Sequence, residues 1–247
     1  MGKNIKKFET LTEYKNYYNS DEFIYPNIAL YFQDNEKILK YRKLEYQKIN
    51  YISSTSTGGQ YIDLGCHLME NTDDIRIDIK FNIKNRGLNS SAQQGTLICS
   101  QPEVSPYPGF VLRYQNANAN RTLQLQTKWN FTGSYFNSGK GLSKYLTYSN
   151  NNSLDNNIYE FSEILDNIPS SQVNNCTCTL FCALDGSNNS FRYVEADLYY
   201  LKFTKGGQVI RNLIPVKKLS TNEVGLYDKE NDHFYVSQGD EPFIEGT

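Results

Sequence analysis

Nine residues of this chain leave almost no choice of local structure. Ile75-Arg-Ile-Asp-Ile-Lys-Phe-Asn-Ile83 carries an apolar residue at every odd position and a charged or amide residue at every even one. Successive side chains of a β-strand point to opposite faces, so a strand sorts this run into one dry face and one wet face; a helix would scatter it around the axis. Similar runs predict strands at 46–52, 60–65, 95–100, 109–114, 123–129, 159–164, 176–184, 194–204 and 209–215, with Gly206-Gly207 as a two-residue hairpin between the last two. Composition agrees: 20 Tyr and 13 Phe stand against 1 Trp and 2 Met, and aromatic residues fit a pleated, half-buried surface. Many short strands separated by turns imply a mainly β fold, a sandwich or a barrel. The polar stretch 138–157 reads as an exposed loop.

Residues 1–43 read differently. Thr10-Leu-Thr-Glu13 is a capping-box pattern, and Leu11, Tyr14, Tyr17 and Tyr18 follow at helical spacing. Pro26 opens an alternating run to Phe32, Asp34-Asn-Glu36 turns, and Lys37-Ile-Leu-Lys-Tyr41 returns. The expected organisation is a strand–helix–hairpin module at 1–43 followed by a β domain at 45–247, the first too small to be comfortable alone.

A formal charge of −2 and a pI near 5.8 give no basic footprint for phosphates, so no nucleic-acid partner is expected. No apolar run approaches the ~18–20 residues of a membrane span. Met1-Gly-Lys-Asn-Ile-Lys-Lys7 has no apolar stretch behind its lysines, so no secretory leader is expected either. The five cysteines are Cys66, Cys99, Cys176, Cys178 and Cys182. The last three invite a zinc reading, but their spacing lacks the usual pairs and a fourth ligand. Positions 176, 178, 180, 182 and 184 instead read Cys, Cys, Leu, Cys, Leu, one apolar face of a strand, and free thiols there imply synthesis in a reducing compartment.

Two phrases carry a resemblance. Tyr51-Ile-Ser-Ser-Thr-Ser-Thr-Gly-Gly-Gln-Tyr-Ile-Asp-Leu-Gly65 opens the β region. Leu198-Tyr-Tyr-Leu-Lys-Phe203, Gly207-Gln-Val-Ile-Arg-Asn-Leu-Ile-Pro-Val216 and Gly225-Leu-Tyr-Asp228 close it, followed by Phe234-Tyr235, Gly239 and Phe243-Ile244. Together they resemble the concanavalin A-like, laminin-G-like β-sandwich of virion proteins from tailed phages of gut bacteria, with Leu64 where Thr is usual and a lengthened Ser56–Gly59 turn. The opening module, with Ile5-Lys-Lys-Phe8, Glu13-Tyr14 and Pro26-Asn27-Ile28, is similar to one shared by structural proteins of crAss-like and related Bacteroidota phages. The resemblance implies a jelly-roll sandwich and an attachment module in which Phe8, Tyr14, Pro26 and Asn27 take part. It also implies virion localisation after synthesis in a bacterial cytoplasm, partners among capsid or tail proteins, and homo-oligomers in the particle.

The closing phrase has a physical reading of its own. Ile210, Asn212 and Ile214 fall on one face of a strand and Val209, Arg211 and Leu213 on the other, and Pro215, lacking an amide, should stop the ladder. Gly225-Leu-Tyr-Asp228, a turn at 229–232 and His233-Phe-Tyr-Val236 make a hairpin beside the N-terminal strand. These residues read as architecture.

Catalytic patterns fare poorly. Retaining glycosidases place two carboxylates ~5–5.5 Å apart; the laminarinase-type Glu-x-Asp-x-x-Glu is met here only by Glu195-Ala-Asp197, with Tyr200 at the last acid's position. His67 and His233 are the sole histidines: the first adjoins Cys66 and should point away from it, the second sits in an expected turn. Asp73-Asp74 without a wider oxygen cage reads as a solvated turn. No cofactor, metal or catalytic residue is expected. Glycan binding suits the chain better, because sugars present apolar CH patches ringed by hydroxyls. Tyr107, Trp129, Asn130, Phe131, Tyr135 and Phe136, clustered in or near expected loops, are its candidates, with core packing the competing role for Trp129. The expectation is a non-enzymatic virion protein showing a lectin-like sandwich as a capsid decoration, head fibre or tail fibre, with weak adhesion to cell-surface glycans. Its rivals are a free bacterial lectin and a degenerate glycoside hydrolase.

Overall fold

A computed structural model describes residues 46–55, 59–85, 94–102, 108–117, 120–127, 146–148, 158–166, 168–184 and 190–247. In chain order the strands are β1 (Tyr46–Lys48), β2 (Tyr51–Ser53), β3 (Ile62–Asp63), β4 (Ile75–Asn85), β5 (Gln94–Ser100), β6 (Phe110–Ala117), β7 (Asn120–Thr127), β8 (Leu146–Tyr148) and β9 (Tyr159–Leu165). They continue as β10 (Thr179–Leu180), β11 (Ala183–Leu184), β12 (Ser190–Phe191), β13 (Glu195–Lys205), β14 (Gln208–Lys218), β15 (Val224–Asp228), β16 (His233–Tyr235) and β17 (Ile244–Gly246). Among the described residues the helical element is a single 3-10 turn, Ser170–Gln172. The module expected at 1–43 lies outside them.

The larger antiparallel sheet runs β16-β15-β14-β13-β2-β17, with β1 beside β14 and with β4, then β9, beyond β13. The smaller runs β3-β10-β5-β6-β7-β8, and β11 and β12 pair as a ribbon. One buried apolar cluster joins both sheets: Ile75, Ile77, Ile79, Phe81 and Ile83 of β4 and Ala196, Leu198, Leu201 and Phe203 of β13 meet Leu97, Ile98, Phe110 and Leu112 of β5 and β6. The fold is mainly β and antiparallel, consistent with a β-sandwich. β4 lies between β9 and β13, which explains why its wet face is only partly wet: Asp78 and Asn82 are 7% and 5% exposed.

Local signals placed most strands, and the departures have identifiable causes. The 46–52 run breaks at Ile49-Asn50, where it leaves β14 and joins β13. Pro215 does not stop β14. Its carbonyl accepts the Ile49 N–H at 3.1 Å, and since N and O of a strand residue share a side, the missing amide falls at that same step, where the ladder is already interrupted. The 176–184 run is not one strand. Phe181 turns at φ 64°, and Thr179, Leu180, Phe181, Cys182 and Ala183 are buried consecutively, so the period-two face ends where the chain bends. Cys178 does join the main core, but Cys176 is only half-buried. A register shift between Phe203 and Thr204 displaces Ile210, which packs against the core instead of facing out with Asn212. Within the expected loop at 138–157, residues 146–148 add β8 to the edge of β7. The Gly206-Gly207 hairpin stands, both glycines at positive φ (54° and 80°) as a type I′ turn requires. The strand that meets β2 from the chain's end is β17, pairing Gly246 with Tyr51; the β15–β16 hairpin lies farther out, on β14.

Candidate functional site

The glycan candidates Tyr107, Trp129, Asn130, Phe131, Tyr135 and Phe136 lie outside the described residues, as do Phe8, Tyr14, Pro26 and Asn27. What the described residues bring together is a different aromatic surface, on the outward face of the larger sheet.

It begins with a spacing fault in β13. Ala196, Leu198, Leu201 and Phe203 all face the core, so two residues stand between Leu198 and Leu201 where alternation allows one. The register against β4 shifts there, and this bulge turns both Tyr199 and Tyr200 outward. Tyr51 of β2 joins them, its ring centroid 5.0 Å from that of Tyr199 at 48°. Gly246 faces Tyr51 in register, and a Cβ there would overlap the ring; the absent side chain is the space in which Tyr51 lies. Lys84 sits over the Tyr51 ring at 5.5 Å and Lys80 over Tyr199 at 5.8 Å, within cation–π range. Lys80 pairs with Glu160 at 3.4 Å, and the Tyr200 hydroxyl donates to Glu160 Oε1 at 3.0 Å. Burial, then the Asp197 charge and Tyr51, raise the Tyr199 hydroxyl's pKa, so it remains a donor.

Beneath the rings lies a buried polar row. Asp197 is 2% exposed; Lys84 Nζ is 2.6 Å from its Oδ1, and the Ser53 hydroxyl donates to the same oxygen. Ser53 and Asn82 flank Asp197 in register, and the buried Asn82 Oδ1 has no hydrogen-bond partner. Farther along β4, Asp78 lies between Arg76 (3.0 Å) and Lys202 (3.1 Å). Burial would raise the Asp78 carboxyl, but hydrogen bonds from Ser162, Lys202 and Arg76 outweigh it and hold the group below its ordinary value.

This arrangement supplies half-buried aromatic faces beside ammonium, carboxylate and amide groups, the combination that sugar rings require. It offers less to hydrolysis. Glu195, Asp197 and Tyr200 do share the outward face, but Asp197 is committed to Lys84 and Ser53, and the position of the second acid carries a phenol bonded to Glu160. Sequence reading passed over the face because Leu198-Tyr-Tyr-Leu201 falls in the closing phrase taken as architecture. The signal that could have found it is the two-residue gap between apolar positions.

The rest of the closing phrase is architectural. Asp228 is fully buried. Its Oδ1 accepts the backbone amides of Asn212 (3.0 Å) and Glu230 (3.1 Å), and its Oδ2 accepts the Asn231 side-chain amide (2.7 Å). Arg211 Nε is 3.5 Å from Oδ2 and the guanidinium also donates to the carbonyls of Ile210 and Leu64. One carboxylate thus ties the β15–β16 turn to β14 and to the opening phrase. His233 begins β16, with its ring edge-on to Tyr235 at 4.5 Å, and His67 is exposed. Among the described residues no three His, Cys, Asp or Glu side chains converge as metal ligands.

Comparison with protein-family models, curated sequences and solved structures found no match.

Proposed function

We propose that this chain is a non-enzymatic structural protein of a tailed-phage virion. Residues 1–43 attach it to capsid or tail, and a concanavalin A-like jelly roll at 45–247 is displayed outward, where it adheres weakly to cell-surface glycans. The supporting observation is that the two phrases behind the resemblance form one physical unit. β2 of the opening phrase lies between β13 and β17, pairing Ser53 with Asp197 and Tyr51 with Gly246, and the seam carries the Tyr51–Tyr199 face. The adhesive role is assigned to that face; the commitment of Asp197 to Lys84 and Ser53 favours binding over hydrolysis.

Electron cryomicroscopy of particles of the encoding phage tests the attachment. Density at capsid or tail positions that is lost on deleting residues 1–43 supports the reading, whereas particles lacking the protein leave a free lectin. A glycan array tests the adhesion separately: Tyr199→Ala should lower binding about fivefold or more, given ~1 kcal/mol or above for an aromatic contact, and unchanged binding would remove the face from the site.

A further inference from the structure

We propose that Cys66 and Cys178 are a redox-active pair that closes to an intramolecular disulfide when the protein meets a disulfide oxidant such as oxidised glutathione.

The geometry begins at a bulge. The Leu64 N–H donates to the Cys178 carbonyl at 2.9 Å, and the Cys178 N–H donates to the Cys66 carbonyl at 2.8 Å. Three residues of one chain segment therefore oppose a single residue of the other, with Gly65 at φ 60° making the turn. That bond makes Cys66 and Cys178 cross-strand neighbours; directly opposed residues of a regular antiparallel ladder have Cα atoms roughly 4.5–5.5 Å apart, inside the range that a disulfide spans. The bulge also brings the two side chains close enough that hydrogen bonding from the Cys178 thiol is the largest influence on the Cys66 sulfur. Both cysteines are free.

The two sulfurs are unequal in a way that gives each a role. The hydrogen bond from Cys178 and the nearby Arg211 charge lower the Cys66 thiol against the opposing effect of burial, and Cys66 is only partly buried. Complete burial, then the adjoining Cys66, raise Cys178. Burial likewise raises Cys176 and Cys182. Cys66 is the sulfur that an external reagent meets first as a thiolate, and thiolates are the attacking species in exchange. Its thiolate attacks one sulfur of glutathione disulfide, forming a mixed disulfide and releasing one glutathione thiolate, which takes up a proton. Cys178 then loses its proton to solvent, attacks the Cys66 sulfur and expels the second glutathione. Two protein thiols are oxidised and one glutathione disulfide is reduced to two thiols. In a reducing compartment the pair stays open; outside it, the bond fastens the end of the opening phrase to the strand segment before β10. Neither the virion reading nor glycan adhesion is needed for this.

The test uses the full chain, reduced, freed of reductant and incubated natively with oxidised glutathione, followed by alkylation and peptide mapping with fragmentation. The expected product is a Cys66–Cys178 cross-link, reversed by dithiothreitol, with Cys99, Cys176 and Cys182 alkylated. Cys66→Ser should leave Cys178 alkylatable after unfolding, and Cys178→Ala should stop the reaction at a glutathione adduct on Cys66. Five alkylatable thiols in the oxidised wild-type protein would overturn the proposal, as would a cross-link from Cys66 to Cys176 or to a second chain. Neither of those readings depends on a variant folding.

Discussion

Replacing Asp228 by alanine should be among the most damaging single changes in the described structure. The carboxylate has no exposure to water and satisfies the backbone amides of Asn212 and Glu230, the Asn231 amide and the Arg211 charge. In the alanine variant the Glu230 amide, in the exposed turn, can turn to water. The Asn212 amide in β14 loses its acceptor, at about 1–3 kcal/mol for a buried donor left unmade. Arg211 keeps its two carbonyl contacts but loses its counter-charge; removing one partner of a buried pair costs about 3–5 kcal/mol in all. Taking about 4 kcal/mol and a urea slope of about 2 kcal/mol/M, the midpoint falls by about 2 M. Urea titration of the full chain followed by circular dichroism reads this directly. Asp228→Asn, which keeps one acceptor oxygen for the two backbone amides but turns a donor toward Asn231 and Arg211, should lose about half as much. In an Arg211→Gln background the cost of Asp228→Ala should shrink by about 1 kcal/mol, because the stranded charge is gone. A midpoint shift below about 0.5 M for Asp228→Ala would refute the reasoning, since no arrangement of these four contacts is then energetically coupled to the fold.

Two further outcomes are expected. Asp78→Asn should be less stable than wild type at pH 7, with the difference closing in acid. A carboxyl whose folded pKa is depressed contributes stability above its unfolded value, and that contribution disappears as pH falls through the folded one; urea midpoints at pH 7 and pH 3 that differ by the same amount would contradict it. Gly246→Val should displace the Tyr51 ring and reduce glycan binding on the array while hydrogen exchange in β4 stays protected, whereas unchanged binding would detach Tyr51 from the site.

What the amino-acid order determined by itself was whatever depends on neighbours along the chain. The alternation of Ile75 to Ile83 admits one local structure, and β4 follows it; Gly206-Gly207 can adopt positive φ at both positions, and the hairpin follows that; Gly225-Leu-Tyr-Asp228 and the turn after it form β15 and its connection to β16. Tertiary structure decided the rest, because it depends on which strands become neighbours. Pro215 remains inside a strand because its missing amide meets the step between β1 and β2, a coincidence that local pattern cannot contain. The cysteine run at 176–184 puts Cys, Cys, Leu, Cys and Leu at alternate positions and still bends at Phe181; Thr179 to Ala183 are buried without a break, so no wet face remains on which that period could rest. The tyrosine face needs Tyr51 and Tyr199 side by side, and Lys84 and Ser53 meet at the buried Asp197 only because β4 and β2 flank the same stretch of β13. A bulge of one residue aims Tyr199 and Tyr200 outward together, and its register is set by the strands packed on either side.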